Sequence, residues 1–292
     1  MKFVTVTNNV FHERHGVHIN PKLRTLGTFS LVLFLSGTFT MADAEMVQPR
    51  KLVDAHTAGI LARGQYDFEA RIYPAGDTTL GSGLLLGINV GITNRLSIGL
   101  SYGGEGIVGR GHEVKPNPIP GLLVKYRIFE EGMIFPGVAL GFDHQGHGGL
   151  TDTVRFRYKG TIFKSPGFFG AVSKNFLLVN VVQFGLHGMV SYSLEDHENV
   201  TWPNVITGID IGINDELSMV FEYDFGFNIR DGNQKYYAQP GDGYLNAGLR
   251  WAFSPAFYLE FDARDVLEHR REITGRTLGW SREIKLVYFS EF

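Results

Sequence analysis

From about residue 50 onward the chain alternates apolar and polar side chains with a period of two, and the three-to-four-residue spacing of an amphipathic helix is nearly absent. The segment FYLEFDARD sets Phe257, Leu259, Phe261 and Ala263 against Tyr258, Glu260, Asp262 and Arg264. YLNAGLRWAF repeats the pattern, with Leu245, Ala247, Leu249, Trp251 and Phe253 opposite Asn246 and Arg250. LSMVFEYDFGFN opposes Leu217, Met219, Phe221, Tyr223, Phe225 and Phe227 to Ser218, Glu222, Asp224 and Asn228. YDFEARIY sets Tyr66, Phe68, Ala70 and Ile72 against Asp67, Glu69 and Arg71. Successive strand side chains point to opposite faces, so each segment reads as a two-faced strand.

Short turn signals punctuate these segments at TNR near Asn94, EEG near Glu131, SKN near Lys174, IND near Asn214 and SP near Ser254. Between consecutive tight turns lie two strand patterns joined by a longer Gly, Asp and Pro-rich stretch such as DHQGHGGLTDTVRF. The pattern is a repeated hairpin with short turns at one end and long loops at the other. That predicts about twelve antiparallel strands of roughly ten residues, the length that crosses a bilayer when tilted. A soluble all-β protein also alternates, with its apolar face on a core. The loop asymmetry and the aromatic residues near strand ends, among them Tyr66, Tyr102, Phe142, Tyr192, Trp251, Phe253, Phe257 and Tyr288, favour the membrane. The expected fold is all-β: a transmembrane antiparallel up-and-down barrel over residues 65–292, its first strand pairing with its last because an open edge in lipid is costly.

The N-terminal region adds an export signal. Lys22 and Arg24 precede the apolar run LGTFSLVLFLSGTFT, and a small-x-small site follows at Ala42 to Ala44. This is the order of a signal peptide, assigned to residues 1–44; the run is short for a retained membrane anchor. Residues 45–64 are set aside as a periplasmic segment. The absence of cysteine suits the cell envelope, and a net charge of -3 argues against a nucleic-acid surface. The expected location is the Gram-negative outer membrane, with lipid and the barrel-assembly machinery as partners.

With the apolar face in lipid, the polar face lines the lumen, and its charges gather on one side. Glu69 and Arg71 adjoin Glu283 and Lys285, then Glu260, Asp262 and Arg264, then Arg250, then Glu222 and Asp224. The facing wall carries small residues such as Gly87, Gly91, Ser97, Gly99 and Gly137, with Lys125 and Arg127 between them. Two outcomes stay open. The charges reach across and neutralise one another to plug the lumen, or the small-residue wall leaves a narrow passive pore for ions or small solutes.

No motif assigns an enzyme. GEGIVG at Gly104 to Gly109 has dinucleotide-loop spacing, but RGHEVKPNPIPG after it cannot start a helix. His112, His144, His147, His197 and His269 fall in long loops without metal-ligand spacing. His187 and Ser191 face the lumen, no GxSxG is present, and Asp143–His144 and Asp196–His197 are neighbours whose side chains diverge on a strand. An outer-membrane hydrolase stays as a further alternative, but no catalytic, cofactor-binding or metal residue is named, and no cofactor is expected.

The C-terminal SREIKLVYFSEF resembles the recognition signal of bacterial outer-membrane barrels: a terminal aromatic, Phe292, preceded at alternate positions by Tyr288, Leu286 and Ile284, with Ser290 breaking the series. LVDAHTAGILARGQYDFEARIY, GITNRLSIGLSYGG and PGFFGAVSKNF resemble segments of the YjbH-like family of outer-membrane barrels. That resemblance implies a single barrel with a structural or transport role at the cell surface, linked to exopolysaccharide secretion, with polysaccharide-export components as partners. It supplies no catalytic residues.

Overall fold

A computed structural model describes residues 39–40, 49–74, 81–109, 113–150, 161–178, 182–195, 202–228, 236–238, 243–272 and 279–292. The segment 1–44, expected to be a signal peptide, lies outside them except for Phe39–Thr40, which pair with Leu178 and Leu177. His112, Asp196 and His197 also lie outside.

Among the described residues, twelve long strands form the wall: β1 (Gln65–Pro74), β2 (Ser82–Thr93), β3 (Leu96–Val108), β4 (Gly121–Phe129), β5 (Gly137–Asp143), β6 (Gly167–Leu178), β7 (Val182–Tyr192), β8 (Asn204–Gly212), β9 (Leu217–Asp224), β10 (Tyr244–Ser254), β11 (Phe257–Arg264) and β12 (Ser281–Glu291). Each pairs antiparallel with its neighbours in sequence, and β12 closes on β1 with Lys285 opposite Arg71 and Leu286 opposite Ala70. The sheet therefore has no free edge, as lipid demands. The tight connections at Asn94–Arg95, Asn214 and Pro255–Ala256 fall where the sequence places them. The turn expected at Ser173–Asn175 does not exist: those residues lie inside β6, which runs on to Leu178 before β7 starts at Val182. GEGIVG lies at the end of β3 and continues that strand through Val108.

The outer face is a band of exposed apolar side chains, including Phe68, Leu86, Leu100, Tyr126, Leu140, Phe168, Val190, Trp251, Phe261 and Leu286. Polar residues on the same strands turn inward and are buried, among them Asp67, Asn89, Ser97, Lys125, Asn175, Glu222 and Glu260. A closed sheet with lipid-compatible side chains outside and charge inside is a β-barrel of the outer membrane. At the short-turn end, which faces the periplasm in such proteins, aromatic rings form part of a girdle: Tyr288 meets Phe257 at 4.7 Å, Phe253 stacks on Phe257 at 5.8 Å, and Tyr66 stacks on Phe292 at 5.6 Å. Ile284 and Leu286 face outward, and Phe292, 86% exposed, donates its N–H to the Gly64 carbonyl at 3.1 Å.

The segment set aside as periplasmic is part of the barrel's contents. Residues 49–64 run inside the lumen, where Leu52, Val53, Ala55, His56, Thr57, Ala58 and Leu61 are almost wholly buried. Glycines of the barrel wall make room for them. A Cβ on Gly91 would stand 1.9 Å from the Ala62 carbonyl oxygen, and one on Gly208 would stand 2.4 Å from a Leu52 methyl. Gly91→Ala has to push main chain aside, and overpacking of this kind costs about 1–3 kcal/mol. The expected result is faster tryptic cutting at Arg63, with the boiled and unboiled barrel still separating on a gel as in the parent.

Candidate functional site

LVDAHTAGILARG has no period-two alternation and is small and apolar, so it suits neither lipid-facing strand nor free solution. It folds as a hairpin. Leu52 N–H donates to the Ala55 carbonyl at 2.8 Å across a tight turn, Thr57 N–H to the Arg50 carbonyl at 3.2 Å, and Lys51 bridges His56. Both arms lead back toward the periplasmic end. One joins β1 at Gly64, and on the other Arg50 pairs with Asp67, the third residue of β1 from that end. The tip at Val53 and Asp54 points toward the outer end.

Side chains of the wall satisfy the hairpin's main chain, as buried polar groups require. Glu222 accepts from the N–H groups of Asp54 and Ala55 at 2.9 and 2.8 Å, and Asn246 fixes its other oxygen at 2.8 Å. Lys285 donates to the Val53 carbonyl at 2.7 Å, Lys125 to the Arg50 carbonyl at 3.1 Å and Arg250 to the Lys51 carbonyl at 3.3 Å. Asp54 pairs with Arg71 at 3.0 Å and with Arg264. The charged wall also pairs within itself: Lys285 with Glu260 and Asp262, both at 2.7 Å, Arg264 with Glu283 at 2.8 Å, and Arg71 with Glu69 at 3.4 Å. Arg127 and Asp224 stand apart from this network. Arg127 donates to the Asn94 carbonyl at 2.9 Å, and Asp224 accepts from Asn204 and from Gly226 N–H. The lumen is thus filled by main chain held by charges, and not by charges reaching across it.

The other side of the hairpin meets an apolar patch that period-two reasoning misses. Leu123, Phe169, Ala171, Met189, Ile206 and Val220 point inward and cluster with Leu52, Val53 and Ala55. His56 stacks on Phe169 at 4.2 Å and meets Asp143 at 2.8 Å. Above the tip, the segment after β5 folds inward, placing His147 within 3.1 Å of Glu283 and 3.3 Å of Arg71. Asp54, His147 and Glu283 present ligand atoms within 4.8 Å of one another. Arg71 and Arg264 already occupy their oxygens, so a cation would meet two guanidiniums there.

One arrangement lies below the hairpin. Ser173 on β6 and His187 on β7 are direct cross-strand partners, with Oγ 2.8 Å from Nδ1. The far nitrogen of His187, Nε2, lies 2.5 Å from Asp210 on β8. Ala58 of the hairpin donates its N–H to the Ser173 Oγ at 2.8 Å. Sequence reading placed His187 and Ser191 on the lumen face and named no partner for the histidine; Ser173 becomes visible as its partner only when the turn is moved from Lys174 to beyond Leu178.

No protein-family model and no curated protein matches the chain, so the YjbH-like resemblance and its exopolysaccharide link rest on the quoted segments alone. Solved structures that align with it include the NanC porin, at 10% identity over 78% of this chain and 99% of that one with a TM-score of 0.39. The KdgM porin aligns at 8% identity over 78% and 99% with a TM-score of 0.42. An outer membrane channel from Pseudomonas putida aligns at 10% identity over 84% and 100% with a TM-score of 0.39. Similarity this distant carries nothing about what occupies or crosses the lumen.

Docking of the hairpin is expected to depend on pH. Burial pushes His56 down, Lys51 adding to it against the pull of Asp143, to about 3 from an ordinary 6.5. Burial alone would raise the Asp54 carboxyl, but Arg264, His147 and Arg71 hold it down at about 2 against an ordinary 3.8. In both cases the released hairpin binds more protons than the docked one, so docking weakens as pH falls. The His56 contribution is lost between about 6.5 and 3, and the Asp54 contribution from 3.8 down through about 2. A dye on Arg63→Cys, at the exposed foot of the hairpin, is expected to report release over that range. His56→Gln should remove the upper part of the curve and leave the lower part in place.

Proposed function

We propose that this chain is a gated passive channel of the outer membrane, closed by its own N-terminal hairpin and open to small hydrophilic solutes when the hairpin withdraws toward the periplasm. The apolar seat inside the lumen carries this proposal. Phe169, Met189, Ile206 and Val220 have no reason to line a water-filled pore, since apolar surface facing water costs roughly 25 cal/mol per Å². They have a reason to hold a removable segment. Both arms of the hairpin lead to the periplasmic end, so withdrawal needs no threading through the barrel. The exposed wall would carry both signs of charge, with no single-sign ring, which fits weak selectivity.

Planar-bilayer recording tests the gate. The chain has no native cysteine, and the Ala58 Cβ lies 3.3 Å from where a Cβ on Gly137 would stand, close to the span of a disulfide. Oxidised Ala58→Cys/Gly137→Cys protein is expected to insert without single-channel steps and to regain the parent's brief openings on reduction. Asp54→Asn strips a carboxylate from two arginines. Breaking a buried pair costs about 3 kcal/mol, so openings should become about 100-fold more frequent. Equal conductance of the oxidised and parent proteins would overturn the gate.

A further inference from the structure

We infer that Ser173, His187 and Asp210 form a hydrolytic centre on the lumen wall, held inactive by the hairpin and directed at ester-bearing solutes that enter the opened barrel; this rests on the gate proposed above. Ala58 N–H donates to the Ser173 Oγ, which lies 2.8 Å from Nδ1 of His187. In the tautomer that donates Nε2–H to the Asp210 carboxylate, Nδ1 is the accepting nitrogen and takes the serine's proton. That is the order of a serine nucleophile, its general base and the carboxylate that fixes the base's tautomer, built on three adjacent strands. A rigid wall is a better support for such a constellation than a loop.

A purely structural relay would need only the serine to hold Ala58. The histidine and aspartate behind it add nothing to that bond, whereas nucleophile activation requires both. A further acceptor stands on the same face: the Asn175 Oδ1, two residues along β6, is buried and has no hydrogen-bond partner, while its amide nitrogen is held by Glu131 at 2.7 Å. It is placed to accept from a water. With the hairpin withdrawn, the Ser173 oxygen attacks the ester carbonyl carbon while its proton passes to His187. The proton then goes to the departing alkoxide, leaving an acyl-serine and an alcohol. Water attacks the acyl-serine, gives its proton to His187 and releases the acid, and the proton returns to Oγ.

A fluorophosphonate probe reads the first step, since it forms an Oγ–P bond and expels fluoride. In the full chain the expected result is labelling at Ser173 that rises with open probability: slow in the parent, about 100-fold faster in Asp54→Asn, and absent in the oxidised Ala58→Cys/Gly137→Cys pair. His187→Gln should abolish labelling while conductance persists, and Ser173→Ala should remove the labelled peptide. If Asp54→Asn does not fold, a chain cut after folding at a protease site placed at Arg63 takes its place. A conducting barrel without label at Ser173, or with label that survives His187→Gln, overturns the centre and leaves the gate standing. A folded barrel that neither conducts nor labels removes both.

Discussion

Everything in this molecule follows from the pairing of β12 with β1. In lipid no water accepts the hydrogen bonds of a free strand edge, so the sheet must close, and closure fixes which faces look outward. Once Phe68, Leu86, Trp251 and Phe261 are committed to the bilayer, every polar residue between them is committed to a confined interior. A lumen lined by Glu222, Glu260, Glu283, Arg71, Arg264 and Lys285 cannot remain dry and unpaired, because uncompensated buried charge is more costly than the strands could offset.

The interior resolves that demand in two ways at once. Charges on neighbouring strands pair along the wall, as Lys285 does with Glu260 and Asp262. The remaining bonding capacity turns to the main chain of residues 50–58, whose N–H and C=O groups need partners of their own once they leave water. Hairpin and wall complete each other: Gly91 and Gly208, on strands flanking the charged side, leave the volume, and the apolar patch on β6 to β9 receives Leu52 and Val53. The segment can be held firmly without being part of the sheet, the condition a gate has to meet.

The barrel was legible in the sequence because its two signals are local. Period-two alternation needs only neighbouring residues, and the short-turn and long-loop asymmetry needs only spacing. Closure sets Arg71 opposite Lys285 and Glu69 opposite Val287, a pairing that the alternation of the first and last strands implies. The hairpin was not legible, because LVDAHTAGILARG has no periodicity and its partners are spread over many strands. The relay was hidden by a single error. SKN has turn chemistry, yet Ser173 and Asn175 point into the lumen, and Lys174 instead bonds to main chain near Gly132 at the periplasmic rim. Interior polar residues of a barrel carry the composition of turns, which is why polar tripeptides are weaker punctuation here than in a soluble sheet.

Were the hairpin only a filler, large wall side chains would do its work without the entropy of ordering a peptide segment. Instead the wall at Gly91 and Gly208 is cut back to backbone, and a serine, a histidine and an aspartate are aligned beneath the segment that covers them. Cut-back wall, hairpin and covered serine are three separate features of the lumen. In the gate and the hydrolytic centre proposed above they have one state in common, the barrel with its hairpin withdrawn, in which each of them would face water.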